Sequence, residues 1–543
     1  MKTSSKTAVL LMIIALAISC LLLFGANPYY GHDIGFHLSR IQSIADCFSD
    51  KTFPALIYPR YFNEYGYANG IFYPDLFLYI PAFLVYLGMD CKLSYNIFLF
   101  VVNISTLLSM YLCTRKIVRE DLSASLISCL YLLSSYRITD LYVRSALGET
   151  LCFVFFPFIL LGLYEILYAE KEKGYYLIIG LFGVLSSHII SLLFCVILII
   201  LFYIVSFFRL IKNKTELIER TWSLFFNCLL SVAVCAFFIL PFLEMMFSDS
   251  FMYKVNPATG GWDRTIPFLY SIIEIPSYRT IFFPLGIGII FIVLFIMYAK
   301  TLSKNKTERF VIDYLAFGIL FWLMSTNLFP WALFKGFVQT IQFPWRFLAV
   351  STASLLFGFA PTIDYYLNND SSAKKTILLL LITNCLSLML FAVDMFIFED
   401  YEQYTDEIHY STGGNEYLPA DVDLQKITER GLIISSNDQN IKTSFEKNGT
   451  NMVISYENVS KTDAYIEVPL IYYKGYKATE NHNYLAVSKG DNGILRIDLT
   501  NSSGVISVFY GATLLRKIGY GISLFSLVFL FLSKYKSQTL NKK

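Results

Sequence analysis

Apolar blocks long enough to cross a lipid bilayer recur along this chain, and they constrain its fold more strongly than any other feature. A membrane-spanning helix needs about 20 mostly apolar residues, and such blocks follow one another as far as Phe396. Hydrophobic residues make up 56% of the chain and charged residues 15%, whereas soluble domains are about a quarter charged. The formal net charge of +2 gives no reason to expect nucleic-acid binding. The sequence therefore predicts an α-helical polytopic membrane protein.

The distribution of lysine and arginine predicts how these blocks are oriented, because cytoplasmic loops carry an excess of both residues. About twelve spans place every strongly basic loop, including residues 115–119 and 209–214, on the cytoplasmic side together with both termini. Residues 75–88 are apolar but short, so we expect an interfacial helix on the outer surface there. The predicted spans are residues 8–25, 94–114, 122–135, 151–168, two helices within 175–208 divided near His188, then 222–247, 280–298, 310–326, 345–367, 376–396 and 515–532.

Three regions follow from this pattern. Residues 1–397 form a multi-span transmembrane domain, with interfacial helices in the outer loop 27–92. Residues 398–510 are polar and contain alternating runs, which predicts an extracytoplasmic β-sandwich-like module that binds sugar or serves as a passive lid. Residues 511–543 form the last span and a basic cytoplasmic tail. Within the module we expect a β-hairpin around Asn448-Gly449, and further strands at residues 464–473, 484–488 and 494–499.

A short stretch after the first span, residues 31–40, is the first candidate site. Asp33, His37 and Arg40 stand at positions i, i+4 and i+7, so a helix places them on one face. An acid, an imidazole and a guanidinium that converge at a membrane surface indicate a binding or catalytic site. We interpret Asp33 as a catalytic base. The alternative is that Asp33 caps the helix that starts at Ile34.

A second group of polar residues stands near the predicted outer ends of later spans. Ionisable groups at membrane depth are costly, so they are usually paired or functional. Arginines bind phosphate through two parallel hydrogen bonds, which suits a lipid phosphate donor, and a carboxylate can accept the proton of an acceptor hydroxyl. The candidates are Arg144, Glu149, His188, Gln342 and Arg346.

Each of these residues also has a structural interpretation. Glu149 is the second choice for the base after Asp33, but with Arg144 it could form a structural ion pair. Arg346 could anchor a span at the headgroup layer, and His188 could bond to backbone. Tyr73 offers a flat apolar face to a sugar ring or an isoprenoid chain.

Metal and cofactor binding receive little support from residue spacing. His32, Asp33 and His37 could form part of a divalent-metal site, although no established ligand spacing is present. No other cofactor is predicted, and the lack of a P-loop argues against ATP-driven transport. Most of the ten cysteines lie within apolar blocks, where they are expected to act as small buried hydrophobes.

Several stretches together resemble a known family. They are residues 31–40, 144–149, 187–191, 342–346, 415–419 and 468–476. In these stretches the chain resembles bacterial polytopic proteins labelled "6-pyruvoyl-tetrahydropterin synthase-related" membrane proteins, which are similar to YfhO-like proteins and to the GT-C glycosyltransferase superfamily. The resemblance implies a bacterial plasma-membrane enzyme that inverts the configuration of a polyprenyl-phosphate sugar, with Asp33 as the catalytic acid of the superfamily. Many members have a second acid two residues away, where this chain has Gly35, so metal dependence stays open.

The name of this group does not imply that its members catalyse pterin synthesis. The soluble pterin synthase is a zinc enzyme whose ligands are three histidines. This chain has five histidines, scattered and without a His-x-His pair. We therefore do not expect pterin synthase activity.

Three functional hypotheses agree with these residues. The leading hypothesis is a glycosyltransferase that moves a sugar from a polyprenyl-phosphate donor to a cell-envelope polymer or glycolipid at the outer face of the membrane. The second is a transporter or flippase for a lipid-linked sugar, which would use the same arginines but need no base. The third is a non-catalytic envelope-assembly protein.

Overall fold

The chain is mostly helical, with a region of β-sheet near its C-terminal end. The computed structural model describes residues 3–21, 23, 31–169, 174–255, 261, 264–273, 288–302, 308–370, 375, 377, 381–382, 385–386, 408, 410–460 and 462–540. Most of the predicted span at 376–396 lies outside these residues, as do the first residues of the predicted span at 280–298.

The helices follow the apolar blocks of the sequence. In chain order, α1 to α17 are Thr3–Ser19, Ile34–Ser49, Asn69–Phe72, Tyr79–Tyr86, Cys91–Thr114, Asp121–Leu132, Ser135–Ile138, Leu147–Leu167, Tyr175–Leu185, Ile189–Leu210, Lys214–Val234, Ala236–Met246, Met252–Val255, Gly288–Leu302, Arg309–Ser325, Lys335–Ile341 and Phe347–Asn369. Two helices follow near the C-terminal end, α18 at Leu424–Arg430 and α19 at Leu514–Leu540.

Within the described part of the chain, six helices are long and apolar enough to cross a membrane. They are Cys91–Thr114, Leu147–Leu167, Ile189–Leu210, Lys214–Val234, Pro344–Asn369 and Leu514–Ser533. Further apolar helices are shorter, including α6 and α9. The predicted break near His188 is present, because α9 ends at Leu185 and α10 begins at Ile189. These lengths and compositions are consistent with a membrane protein, and the total of twelve spans stays a prediction.

The chain divides into two compact units, each drawn from three separate segments. The first unit comprises Met1–Ile34, Asn96–Val232 and Ala258–Asp406, and the second comprises Gly35–Tyr95, Ala233–Pro257 and Glu407–Lys543. The first unit contains most of the long apolar helices. The second contains residues 75–88, for which the sequence predicts an interfacial helix, and all the described strands.

Helix α17 is the central element of the first unit. Nearly all of its side chains are buried, and it packs against α6, α8 and α15. Ser351 and Ser354 donate hydrogen bonds to carbonyl oxygens of α15, at 2.7 and 2.9 Å. A Cβ atom at Gly318 of α15 would lie 2.6 Å from the Leu355 side chain. Small residues therefore allow these two helices to approach closely, as is usual in membrane bundles.

The β region of the second unit forms two antiparallel sheets. The strands β1 to β9 are Ser435–Ser436, Lys442–Asn448, Asn451–Glu457, Tyr465–Ile471, Tyr476–Glu480, Asn483–Leu485, Val487–Lys489, Ile494–Asp498 and Gly504–Tyr510. One sheet has the order β1-β4-β8-β7 and the other β2-β3-β9-β5-β6. The predicted hairpin is confirmed: Asn448 pairs with Asn451, and Gly449 supplies the positive φ of +60° that the turn requires.

An aromatic-rich segment, residues 58–73, includes α3 and packs against later parts of the second unit; we call it the aromatic loop. The Tyr65 hydroxyl donates to the Gly431 carbonyl at 2.6 Å. The ring of Phe72 stacks on that of Tyr417, with centroids 4.7 Å apart and planes within 3°. Stacked and buried rings stabilise such a junction beyond the area they remove from water. The second unit is therefore held together across more than 300 residues of sequence.

A buried ion pair lies beneath this loop. Arg40 and Asp75 are 1% and 6% exposed, and Arg40 Nε donates to Asp75 Oδ1 at 3.0 Å. Arg40 Nη2 donates to Asp75 as well and, at 2.9 Å, to the Pro74 carbonyl. The Tyr58 hydroxyl also donates to Asp75. Both charges are therefore paired and hydrogen-bonded, which is the condition for burying them.

Replacing Asp75 with Asn should destabilise the protein strongly. The change leaves the Arg40 charge buried without its partner, which costs about 3–5 kcal/mol. Thermal unfolding of the full chain in detergent would measure the effect. Asp463→Asn is the matched control, because Asp463 is exposed on the same unit. Equal melting temperatures for the two variants would contradict this account of the Arg40 pair.

Candidate functional site

Glu149, in the first turn of α8, is the centre of a buried polar cluster in the first unit. Its carboxylate accepts two hydrogen bonds from Arg144, at 2.9 and 3.0 Å, in a bidentate pair. Arg346 Nε lies 2.7 Å from Glu149 Oε1, and the Tyr136 hydroxyl donates to Glu149 Oε2 at 2.8 Å. Glu149 is only 2% exposed. One carboxylate thus holds two guanidinium groups in fixed positions.

The segment before α8 brings Arg144 to this carboxylate. Residues Thr139–Val143 form a π-helical turn, and such turns are frequent at functional sites. Ser145 follows in the left-handed region, with φ +49°, which a non-glycine residue adopts only when its surroundings hold it there. Arg144 also pairs with Asp140, four residues earlier. Burial and the neighbouring Glu149 carboxylate raise the pKa of Asp140 well above its usual value, against the opposing effect of Arg144.

Arg346 reaches the cluster from the start of α17. Pro344–Arg346 form a single 3₁₀ turn that leads into the helix, and proline suits the first position of such a turn. Arg346 donates to Gln342 Oε1 at 2.8 Å and to the Ile341 carbonyl at 3.1 Å. Gln342 has a φ of +63°, so a strained residue positions this arginine too.

His188 stands at the N-terminus of α10. Its Nδ1 accepts a hydrogen bond from the backbone N–H of Ser191 at 3.3 Å, which caps the helix. His188 is 6% exposed and interacts electrostatically with Glu149. Residues at the N-terminal ends of α8, α10 and α17 therefore all lie in or interact with the Glu149 cluster. Helix N-termini carry partial positive charge and favour bound anions.

Asp33 is held beside the cluster by backbone contacts. The His32 and Asp33 amides donate to the carbonyls of Val143 and Arg144, at 3.0 and 2.9 Å. The approach is so close that a Cβ atom at Gly31 would lie 1.9 Å from Ser145 Oγ. Only glycine fits at that position without displacing the neighbouring chain.

The Asp33 side chain differs from the other acids of the cluster because it is exposed. No ion pair within 4.0 Å is formed by Asp33 in the described part of the chain, although Arg144 and Arg346 act on its charge. Crowding by protein atoms raises the pKa of Asp33, the two arginines oppose that shift, and Glu149 adds to it. Asp33 is thus an accessible carboxyl group with an increased proton affinity, next to two fixed cations.

The structure brings together six of the nine residues predicted for the site. They are Asp33, Arg144, Glu149, His188, Gln342 and Arg346, all in the first unit.

The other three, His37, Arg40 and Tyr73, belong to the second unit, where Arg40 contacts the other two. His37 Nδ1 lies 3.1 Å from Arg40 Nη1, and the Arg40 guanidinium carbon is 4.1 Å from the centre of the Tyr73 ring. The predicted helix that carries His37 and Arg40 is confirmed, since both residues lie on α2. Their roles in catalysis and substrate binding stay predictions.

Sequence reasoning missed two residues that build the cluster, Tyr136 and Gly31. A signal for the first was available, because Tyr136, Asp140 and Arg144 recur every four residues and thus share a helical face. Gly31 carries no such signal, since its partner is 114 positions away in the sequence. Among the described residues, no group of three or more His, Cys, Asp or Glu side chains is placed to hold a metal ion.

Comparison with known proteins places this arrangement in a family. The model of DUF6541, described as a "Family of unknown function", matches residues 2–335. The chain belongs to the DUF6541 family. The matched residues include Asp33, Arg144, Glu149 and His188 and end before Gln342. An "Uncharacterized protein" of Lactococcus lactis subsp. cremoris (strain MG1363) is 24% identical over 331 residues, which cover 57% of this chain and 52% of that protein.

This DUF6541 chain therefore spans about half the length of the curated relative that it matches. Neither match describes an activity, and neither supports or contradicts the resemblance to YfhO-like and GT-C proteins. The site of this family member has to be interpreted from its own geometry.

Replacing Gly31 with Ala should destabilise the protein. The added methyl group would overlap Ser145 Oγ and lie 2.7 Å from the Tyr142 carbonyl, and such overpacking costs about 1–3 kcal/mol. Gly336→Ala is the control, because no atom lies within 4 Å of the Cβ position there. A lower melting temperature is expected only for Gly31→Ala. If both variants melt together, the close approach of residues 31 and 145 is wrong.

The cluster also predicts an order of stability among its variants. Glu149→Gln should cost about 3–5 kcal/mol, because the buried Arg346 loses its ion-pair partner and Arg144 keeps only Asp140. Tyr136→Phe removes two hydrogen bonds, one to Glu149 and one from Arg144, but leaves the charges paired, so it should cost less, about 2 kcal/mol. Melting temperatures of the two purified variants would test this order, and a larger loss for Tyr136→Phe would contradict the central position of Glu149.

Proposed function

We propose that this DUF6541 protein is an integral membrane glycosyltransferase, which transfers a sugar from a polyprenyl-phosphate donor to a cell-envelope acceptor. One observation carries the proposal: an exposed carboxyl group with a raised pKa, Asp33, lies beside two buried arginines that Glu149 fixes in place. This combination offers a proton acceptor and an anion-stabilising group at one site.

The donor phosphate is assigned to Arg144 and Arg346. Their guanidinium groups are already oriented by Glu149 and Gln342, so they need little rearrangement when charge develops on the leaving group. The N-termini of α8, α10 and α17 add partial positive charge in the same place. A phosphate is the anion that planar arginine donors recognise most directly.

Asp33 is assigned the role of base in a single displacement. It accepts the proton of the acceptor hydroxyl while that oxygen bonds to the anomeric carbon of the sugar. The bond from the anomeric carbon to the donor phosphate oxygen breaks, and its electron pair stays on the phosphate, beside the arginines. A displacement without a covalent intermediate inverts the anomeric centre.

Glu149 receives a different role from the one that the sequence favoured as second choice. Its two oxygens accept hydrogen bonds from Arg144 and Tyr136, and Arg346 is paired with it. We therefore assign it to positioning the arginines rather than to proton transfer.

The proposed setting is a bacterial plasma membrane. About twelve spans would place both termini in the cytoplasm, and the β region and the site at the outer face, where an envelope polymer or glycolipid is accessible. A divalent metal is not needed for the proposed displacement, because the two arginines supply the positive charge.

Asp33→Asn should abolish transfer without loss of stability. Removing a general base lowers the rate by about 100-fold or more. Because folding raises the pKa of Asp33, the native state binds the proton more tightly, and stability falls as pH rises through the interval between the unfolded and native pKa values. The ionised group therefore costs stability at neutral pH, and Asn should keep or raise the melting temperature at pH 7.

The measurement is the envelope glycan composition of cells that carry Asp33→Asn, wild type or a deletion, at matched protein levels. The control is Glu120→Gln, which neutralises an exposed acid of the first unit. Loss of the same sugar decoration in Asp33→Asn and in the deletion supports transfer chemistry. Normal decoration with Asp33→Asn, but not with the deletion, would exclude Asp33 as the base and favour the transporter or assembly function.

A further inference from the structure

A cavity of about 330 Å³ lies within the second unit, where α19 begins. Its polar lining includes Lys51, Asn451, Tyr510 and Arg516. A volume of this order is typical of small-molecule sites. The residues that line the cavity are different from those of the Glu149 cluster. A ligand site here is therefore independent of the proposed glycosyl transfer.

Arg516 is the residue that makes this cavity unusual. It is 2% exposed, yet it forms no ion pair within 4.0 Å in the described part of the chain. Its Nη1 donates to the Gly511 carbonyl at 3.3 Å and its Nη2 to the Tyr510 hydroxyl at 3.0 Å, while Nε has no partner among the described residues. A buried cation with only neutral partners destabilises a fold strongly. An anion in the cavity would supply the missing charge.

A second cation lines the same cavity. Lys51 is exposed, and its φ of +57° lies in the left-handed region. Non-glycine residues keep this strained conformation where the surroundings hold it, often at ligand sites. None of the described residues that line the cavity is acidic. The nearby Glu244 is already engaged, since it pairs with Lys474 at 3.4 Å and accepts a hydrogen bond from Thr513.

The surroundings of the cavity indicate the kind of anion. Phe53 and Leu514 are 68% and 75% exposed, and α19 is long and apolar enough to cross a membrane. An anion bound here would therefore lie at the end of a membrane helix and next to exposed apolar side chains. Guanidinium and ammonium donors beside hydroxyl and amide groups suit phosphate oxygens.

We propose that this cavity is a phosphate-ester site, with Arg516 and Lys51 binding the phosphate of a lipid headgroup or of a soluble phosphate ester. The buried guanidinium fixes the phosphate, and the exposed lysine adds charge at the entrance. At about 330 Å³ the cavity is large enough to hold a glycerophosphate group. Bound phosphate would also stabilise the second unit, because it binds only the folded state.

The test uses the full chain in maltoside micelles, with melting temperature and native mass spectrometry as readouts. The probes are phosphatidylglycerol, diacylglycerol as the phosphate-free lipid, and soluble glycerol phosphate. The variants are Arg516→Gln and Lys51→Gln. Lys517→Gln is the matched control, because Lys517 is exposed and adjoins Arg516 on the same helix.

The wild type should be stabilised by a phosphate-bearing probe and not by diacylglycerol. Binding of that probe should fall about tenfold in Lys51→Gln and further in Arg516→Gln, since hydrogen bonds to charged groups are lost, and stay unchanged in Lys517→Gln. Protection by glycerol phosphate alone identifies a soluble ester, and protection by phosphatidylglycerol alone identifies a lipid headgroup.

Two results would overturn the proposal. One is equal binding of phosphatidylglycerol and diacylglycerol without any effect of glycerol phosphate. The other is an equal loss of binding in Lys51→Gln and Lys517→Gln, which would indicate a general charge effect. If Arg516→Gln does not fold, Lys51→Gln decides, because that side chain is exposed.

Discussion

The carboxylate of Glu149 is the interaction on which the first unit depends at its polar end. Without it, Arg144 and Arg346 would repel each other in a buried place where charge is poorly solvated. With it, two cations from distant segments share one anion, and the first turn of α8 is joined to the 3₁₀ turn that precedes α17. The same pairing leaves Asp33 without an ion pair within 4.0 Å among the described residues, although both arginines and Glu149 still act on its charge. The position of the Glu149 carboxylate thus fixes Arg144 and Arg346 and leaves the Asp33 carboxyl group accessible.

Local pattern accounts for the part of this site that the sequence predicted. The division of the long apolar run at His188 follows from the length of a bilayer, and the pairing of Arg144 with Glu149 follows from their short separation. The β-hairpin at Asn448-Gly449 is likewise a local signal, and the structure contains it.

The remaining features depend on distant contacts, which a single sequence does not reveal. The loop at Gly31 is held by backbone amides that meet Val143 and Arg144, and backbone partners leave no trace in residue type. The residue pattern likewise gives no signal for the π-helical turn before Arg144. Periodicity placed Arg40 on a helical face with His37, but the burial of Arg40 depends on Asp75, which lies 35 positions later.

The stacking of Phe72 on Tyr417 has a consequence for biosynthesis. The two rings are separated by 345 residues of sequence. At a translation rate of about 5–20 residues per second, the first ring waits roughly 20–70 s for the second to be made. During that interval the aromatic loop has no native partner from the C-terminal segment, while helices between the two are being inserted. The aromatic loop therefore completes its packing only after the helices between the two rings have been made.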